Sequence, residues 1–203
     1  MRYRLAALLV MVGGLGYLAY PKVASLTLVY RACQLLGDQP GATTASREQR
    51  AEQLLIRAVR IDPHNWRVRY MLAQVMGGRA WRLLEAGKVS AGIALTRRAL
   101  GYAPQDSVGY RALGTMYERA GDLRAAEGAY RRSLQLARAG LGPGVLIGCV
   151  PEDPWQQVVV VLAKQGRTQE AERELRALLR SHVLTARQRT RLEEAVREAR
   201  RRQ

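Results

Sequence analysis

The chain has 203 residues, of which 48% are apolar, and its 33 Lys and Arg residues against 17 Asp and Glu residues give a net charge of +16. The length allows one domain with an appendage. The apolar fraction excludes a disordered chain, and the mean hydropathy of −0.21 excludes a protein with many membrane spans. The preference for arginine is typical of a GC-rich genome. The excess of positive charge favours contact with lipid headgroups, acidic proteins or polyanions.

The first element is an uncharged run of 16 residues, LAALLVMVGGLGYLAY, from Leu5 to Tyr20. A membrane-spanning helix needs about 20 residues, and the run reaches that length if Lys22 extends its charge to the headgroups. A retained membrane anchor, contacting the membrane through residues 5–30, is the interpretation that the run favours. A cleaved signal peptide and a buried soluble helix stay open as alternatives.

The charges beside this run indicate an orientation. Arg2 and Arg4 favour a cytoplasmic N-terminus and therefore export of the following residues, although Lys22 and Arg31 weaken the bias. We therefore expect a single-pass protein of a bacterial inner membrane, with the following domain in the periplasm rather than in the cytoplasm.

From residue 47 onward the chain has a helical pattern that repeats. Three similar strings, 85–88, 119–122 and 164–167, each end one helical run and begin another. Gly121 follows Gly87 by 34 residues, and Gly166 follows Gly121 by 45. We assign the additional residues to an insertion at 139–154, because that segment is rich in Gly and Pro.

The second helices of the repeats also align. Residues 51–63 match residues 92–104 at a constant offset of 41, which is seven more than the period. Seven residues are two helical turns, so the helix from about Trp66 to Ala86 is predicted to be two turns longer than its counterparts. Pro63 and Pro104 mark where a helix must stop.

This pattern resembles the tetratricopeptide repeat family, whose unit is a helix-turn-helix of 34 residues. The best match is 107–140, in which Tyr110, Leu113, Gly114 and Tyr117 stand at the positions of the first helix. Ala126, Tyr130 and Ser133 stand at those of the second, while Arg138 replaces the usual terminal Pro. The other units are weaker, and the resemblance covers about two thirds of the chain.

The predicted fold is therefore all-α, a tetratricopeptide-like solenoid of about three to four units preceded by one N-terminal transmembrane helix. The predicted parts are an anchor with its helical continuation at 1–36, a linker at 37–46, the solenoid at 47–182 and a basic capping helix at 183–203. Thr185 is the predicted N-cap of that last helix. The apolar face of the helix consists of Leu192, Ala195, Val196 and Ala199.

No catalytic motif is present, and neither His64 nor His182 has a partner at metal-ligand spacing. The sequence thus predicts a protein that is not an enzyme and has neither cofactor nor metal. Cys33 and Cys149 are too few for a disulfide framework, and whether they pair is left open.

The resemblance implies that the first helix of each unit lines a concave groove. Carried over to this chain, the partner-binding groove would consist of Arg67, Tyr70, Gln74, Arg111, Thr115, Glu118 and Gln156. Such a lining would suit an extended peptide or a helix with some acidic character. Contact with an anionic lipid surface is a further expectation, whereas nucleic acid is not expected because no aromatic residues are interleaved with the basic ones.

Besides a module that binds polyanions or lipids through its arginine excess, with an affinity that falls steeply with salt, two functions are compatible with these features. The first is a non-catalytic, membrane-anchored scaffold that binds a protein partner or assembles an envelope complex. The second is a structural accessory subunit of a membrane complex, held mainly by its transmembrane helix.

Overall fold

The computed structural model describes residues 22–37, 45–139, 154–181 and 184–202, and these residues form helices without any strand. The nine helices of the described ranges are α1 (22–37), α2 (Ala45–Ile61), α3 (Trp66–Glu85), α4 (Val89–Tyr102), α5 (Ser107–Arg119), α6 (Leu123–Arg138), α7 (Pro154–Lys164), α8 (Thr168–Ser181) and α9 (Ala186–Arg201). The all-α prediction is confirmed. Helix α3 has 20 residues and α5 has 13, which is the predicted difference of two turns.

The predicted membrane segment at 5–20 lies outside the described residues, as do 38–44 of the predicted linker, 140–153 of the insertion, and Cys149. Within the described ranges, no helix combines the length and the apolar character that a membrane crossing requires. Helix α1 extends to residue 37 and α2 begins at Ala45, so both ends of the predicted linker are helical.

The chain divides into two compact modules, an N-terminal module of Met1–Arg79 and a C-terminal module of Ala80–Gln203. In the N-terminal module, α1 contacts α2 where the Ser25 hydroxyl donates a hydrogen bond to the carbonyl of Ala58 over 3.5 Å. The buried residues of this module include Ala32, Ala51, Leu55, Ala58, Val68, Leu72, Ala73 and Met76. An ion pair between Arg79 and the buried Glu52 joins α3 to α2.

The C-terminal module stacks successive helices, with α4 on α5, α5 on α6, α6 on α7 and α7 on α8. Helix α7 is central, because the nine consecutive residues from Trp155 to Ala163 are all buried. A helix that is apolar on nearly all sides has to be covered on all sides. Helices α6, α8 and α9 each pack against it.

The three glycine turns of the repeat are structurally alike. Gly87, Gly121 and Gly166 all have positive φ, between 75° and 81°. In each turn the glycine N–H donates back to a carbonyl three residues earlier, and the next N–H donates to a carbonyl five residues earlier. This pair of bonds is the Schellman motif, which satisfies the last carbonyls of a helix and favours glycine. It explains why the repeated strings share that residue.

A close contact between α5 and α6 depends on a second kind of glycine. A Cβ atom added at Gly114 would lie 2.6 Å from Cε1 of Tyr130, which is too close for any side chain. Tyr130 is 1% exposed, so it has little space to move away. The absence of a side chain at Gly114 therefore lets α5 and α6 approach closely.

Several arginines stack on aromatic rings between helices. The guanidinium carbon of Arg97 in α4 lies 5.3 Å from the ring centre of Tyr117 in α5, and that of Arg138 in α6 lies 4.3 Å from the ring of Trp155 in α7. Arg138 stands where the family has Pro. Here it joins the two ends of the insertion by a cation–π contact.

Helix α9 closes the C-terminal module. Thr185 accepts a hydrogen bond from the Gln188 N–H, and the Gln188 side chain accepts one from the Thr185 N–H, which together form a capping box. The predicted N-cap is therefore confirmed. Leu192, Val196 and Ala199 are buried, as expected of a helix that covers the end of a stack.

Candidate functional site

The predicted groove residues fall into two sets, one in each module. Arg67, Tyr70 and Gln74 lie on α3 of the N-terminal module, and the other four lie on α5 and α7 of the C-terminal module.

The N-terminal set lies on one face of α3, because a spacing of three and then four residues returns to the same side of a helix. Arg67 is exposed, and its guanidinium carbon lies 5.5 Å from the centre of the Trp66 ring. Tyr70 and Gln74 are half-buried. The Sγ atom of Cys33 lies 3.8 Å from the Sδ atom of Met71, which places α1 beside this part of α3.

Three of the C-terminal groove residues follow one another along α5. Arg111, Thr115 and Glu118 are all half-buried. The Thr115 hydroxyl donates to the backbone carbonyl of Arg111 and lies 3.1 Å from the Tyr130 hydroxyl. These side chains therefore contact neighbouring helices as well as facing outward.

Glu118 is the centre of a polar network among three helices. Its Oε2 atom accepts a hydrogen bond from the Tyr130 hydroxyl of α6 over 3.0 Å, and its Oε1 atom pairs with Nζ of Lys164 at the end of α7 over 2.5 Å. Sequence reasoning missed Lys164 and the hydroxyl of Tyr130. Aligning Gly166 with Gly121 could have drawn attention to Lys164, because the alignment places Lys164 at the position of Arg119, at the end of a first helix.

Gln156 differs from the other predicted residues because it is only 8% exposed. Its neighbour Gln157 is buried to the same extent. The family resemblance implied that Gln156 lines an open groove, but α7 is covered by three helices. In this structure Gln156 belongs to the interior of the C-terminal module.

The start of α5 is fixed by a buried acid. Asp106 accepts a hydrogen bond from the Val108 N–H over 3.1 Å and caps the helix. Burial raises the pKa of this carboxyl group, while the N–H groups of Gly109 and Val108 and the charge of Arg111 oppose the shift. Arg111 is thus held partly by an interaction inside the module.

Polar side chains of α5, α6 and α7 contact one another within the C-terminal module. The groups that hydrogen bonds and an ion pair bring together are the hydroxyl of Thr115, the phenol of Tyr130, the carboxylate of Glu118 and the ammonium group of Lys164. Among the described residues, no three His, Cys, Asp or Glu side chains converge as metal ligands would.

No protein-family model matches the sequence, and no curated protein matches it. Solved structures do match. A tetratricopeptide repeat protein from Parabacteroides merdae is similar over 88% of this chain, with a TM-score of 0.57 at 13% sequence identity. A fragment of MamA from Desulfovibrio magneticus matches over 79% of this chain and 74% of its own length, with a TM-score of 0.42 at 16% identity.

The chain spans 61% of the length of the Parabacteroides protein. A sequence identity of 13% between the two proteins is evidence for a shared fold alone. The likeness agrees with the glycine turns, the stacked helix pairs and the close contact at Gly114. The chain therefore has a tetratricopeptide-like fold.

Proposed function

We propose that this protein is a non-catalytic scaffold that binds a protein partner and is attached to a membrane by its N-terminal segment. The observation that carries the binding role is the tetratricopeptide-like stacking of paired helices. Such stacks present the faces of successive helices as extended binding surfaces. Membrane attachment is supported by the uncharged run at 5–20, which directly precedes α1.

The exposed part of the groove on α3 is the surface proposed for the partner. Arg67 and Trp66 combine a charge with an aromatic ring, and both residue types are frequent where binding energy concentrates. An extended peptide or a helix with acidic residues matches this chemistry. The same proposal places the protein in a bacterial inner membrane, with the modules on the periplasmic side.

The test is a pull-down from native membranes in mild detergent, with a tag after Gln203. Arg67→Glu reverses the charge at the proposed contact and should reduce recovery of the partner about tenfold or more, since like charges at an interface repel. Arg124→Glu is the matched control, because Arg124 is also an exposed arginine, on α6. Equal recovery with both variants would contradict a contact at Arg67.

A second candidate function is a structural accessory subunit held mainly by its transmembrane segment. The length of the apolar run favours it, because a helix of that kind can itself be an interface. Replacing residues 5–20 by an unrelated apolar segment of the same length separates the two functions. Partner recovery persists if the protein is a scaffold and is lost if it is an accessory subunit.

A further inference from the structure

All five exposed large apolar side chains of the described residues lie in the N-terminal module. Three of them, Val23, Leu26 and Tyr30, are 60–65% exposed and follow one another along the first turns of α1. We call these three residues the apolar stripe. Ser25 and Ala32, which are fully buried, hold the other side of α1 against the module. Because water around such side chains is unfavourable, an exposed stripe indicates a surface that something covers.

Helix α2 adds a positive surface beside α1. Arg50, Arg57 and Arg60 are exposed and, by their spacing, share one side of α2. Together with Leu35, Gln53, Leu54 and Ile56 they line a cleft of about 560 Å³ between α1 and α2. We call this the arginine cleft.

Among the described residues of the module, no acidic side chain neutralises the charge of the cleft. In the described ranges, no carboxylate forms an ion pair with Arg50, Arg57 or Arg60. The nearest acids along α2, Glu48 and Glu52, are 7% and 6% exposed. A cleft lined by both guanidinium groups and apolar side chains matches an anionic phospholipid, which carries a phosphate next to acyl chains.

We propose that α1 and α2 rest on an anionic lipid bilayer, with phospholipid phosphates in the arginine cleft and the apolar stripe at the boundary of the acyl chains. A bilayer is favoured over an acidic protein because the uncharged run at 5–20 directly precedes the stripe. The inference rests on the membrane attachment proposed above. It adds a second, electrostatic contact that holds the N-terminal module against the surface.

The test measures flotation of the full chain with vesicles. One set is phosphatidylcholine alone, and the other contains roughly one third phosphatidylglycerol. Each arginine near an anionic surface contributes about fivefold in affinity. Replacing Arg50, Arg57 and Arg60 by Gln should therefore lower the affinity for the anionic vesicles at least tenfold and leave binding to the neutral vesicles unchanged.

The matched control replaces Arg173, Arg176 and Arg180 by Gln. These three exposed arginines line another cleft, on α8, so the control removes the same charge elsewhere. If both triple variants lose affinity equally, net charge alone is responsible and the inference fails. If wild-type protein binds both vesicle types equally, the inference fails while membrane attachment stands. If it floats with neither vesicle, membrane attachment itself fails.

A second variant tests the apolar stripe. Leu26→Ser and Tyr30→Ser together should weaken flotation with both vesicle types, because the apolar area entering the bilayer decreases. Circular dichroism should stay unchanged, since both side chains are exposed. Unchanged flotation would mean that the apolar stripe does not contact the membrane.

Discussion

Gly114 is the residue on which the contact of α5 and α6 depends. Tyr130, which fills the space over it, is fixed by hydrogen bonds with Glu118 and Thr115. A methyl group at this position would be overpacked, at a cost of about 1–3 kcal/mol. We therefore expect Gly114→Ala to lower the free energy of unfolding by that amount in urea titrations.

The control for this prediction is Gly128→Ala in the neighbouring helix. A Cβ at Gly128 meets nothing within 4 Å, and alanine favours a helix over glycine by about 0.5–1 kcal/mol. This variant should be as stable as wild type or more stable. If both variants change stability alike, helix propensity and not packing governs position 114.

Glu127 in α6 joins that helix to the turn before α8. It accepts hydrogen bonds from Arg131 over 2.9 Å and from Arg167 over 2.5 Å. Burial alone would raise its pKa, but the hydrogen bonds from Arg131 and Gln165 and the charge of Arg167 outweigh burial and lower it. A lowered pKa means that the ionised carboxylate stabilises the folded state.

The stability that Glu127 contributes therefore depends on pH. The contribution of Glu127 is present above its unfolded pKa and is lost as the pH falls through its lowered folded pKa. Glu127→Gln should cost about 1–3 kcal/mol at neutral pH and should reduce the loss of stability on acidification. Thermal unfolding at several pH values measures both effects, with the exposed Glu194→Gln as control. If Glu127→Gln lowers stability equally at every pH, the ionised carboxylate of Glu127 is not what stabilises the folded state.

At the scale of the element, the capping box makes α9 a defined helix and not a frayed end. Thr185→Ala removes the side-chain bond to the Gln188 N–H and should cost about 1 kcal/mol. Thr190→Ala is the matched control, because the Thr190 hydroxyl bonds to the Ala186 carbonyl within the helix, an arrangement that slightly destabilises helices. Urea unfolding should separate the two, and a loss of stability in Thr190→Ala equal to that in Thr185→Ala would contradict the cap.

The sequence predicted the helices better than the contacts between them. Periodicity and the spacing of Gly87, Gly121 and Gly166 predicted the helix pairs, because each turn needs a residue that tolerates positive φ. Periodicity also gives the side of a helix, but not what covers that side. The family resemblance carried Gln156 over to an open groove, although α7 is enclosed. The link from Glu118 to Lys164 spans 46 positions, so only the alignment of the glycine turns, and no local pattern, points to Lys164.

At the scale of the whole molecule, the predicted orientation across the membrane can be tested with a cysteine of the protein itself. Cys33 is exposed on α1, close after the proposed anchor. With Cys149→Ser in place, a membrane-impermeant thiol reagent should label Cys33 in intact spheroplasts, because Arg2 and Arg4 favour a cytoplasmic N-terminus. Labelling only in inverted vesicles would reverse the orientation.

The stack of Arg138 on Trp155 has a consequence for how the chain tolerates change. It brings the guanidinium carbon of Arg138 within 4.3 Å of the ring centre of Trp155, 17 positions later, so a side-chain contact joins the helices on either side of the stretch between the two residues. The entropy of closing such a stretch grows only slowly, by about 0.6 kcal/mol for each doubling of its length. A reporter domain whose own termini are close together can therefore be spliced in at 140–153 while both flanking helices keep their places, whereas an insertion at any of the three glycine turns would break a helix pair.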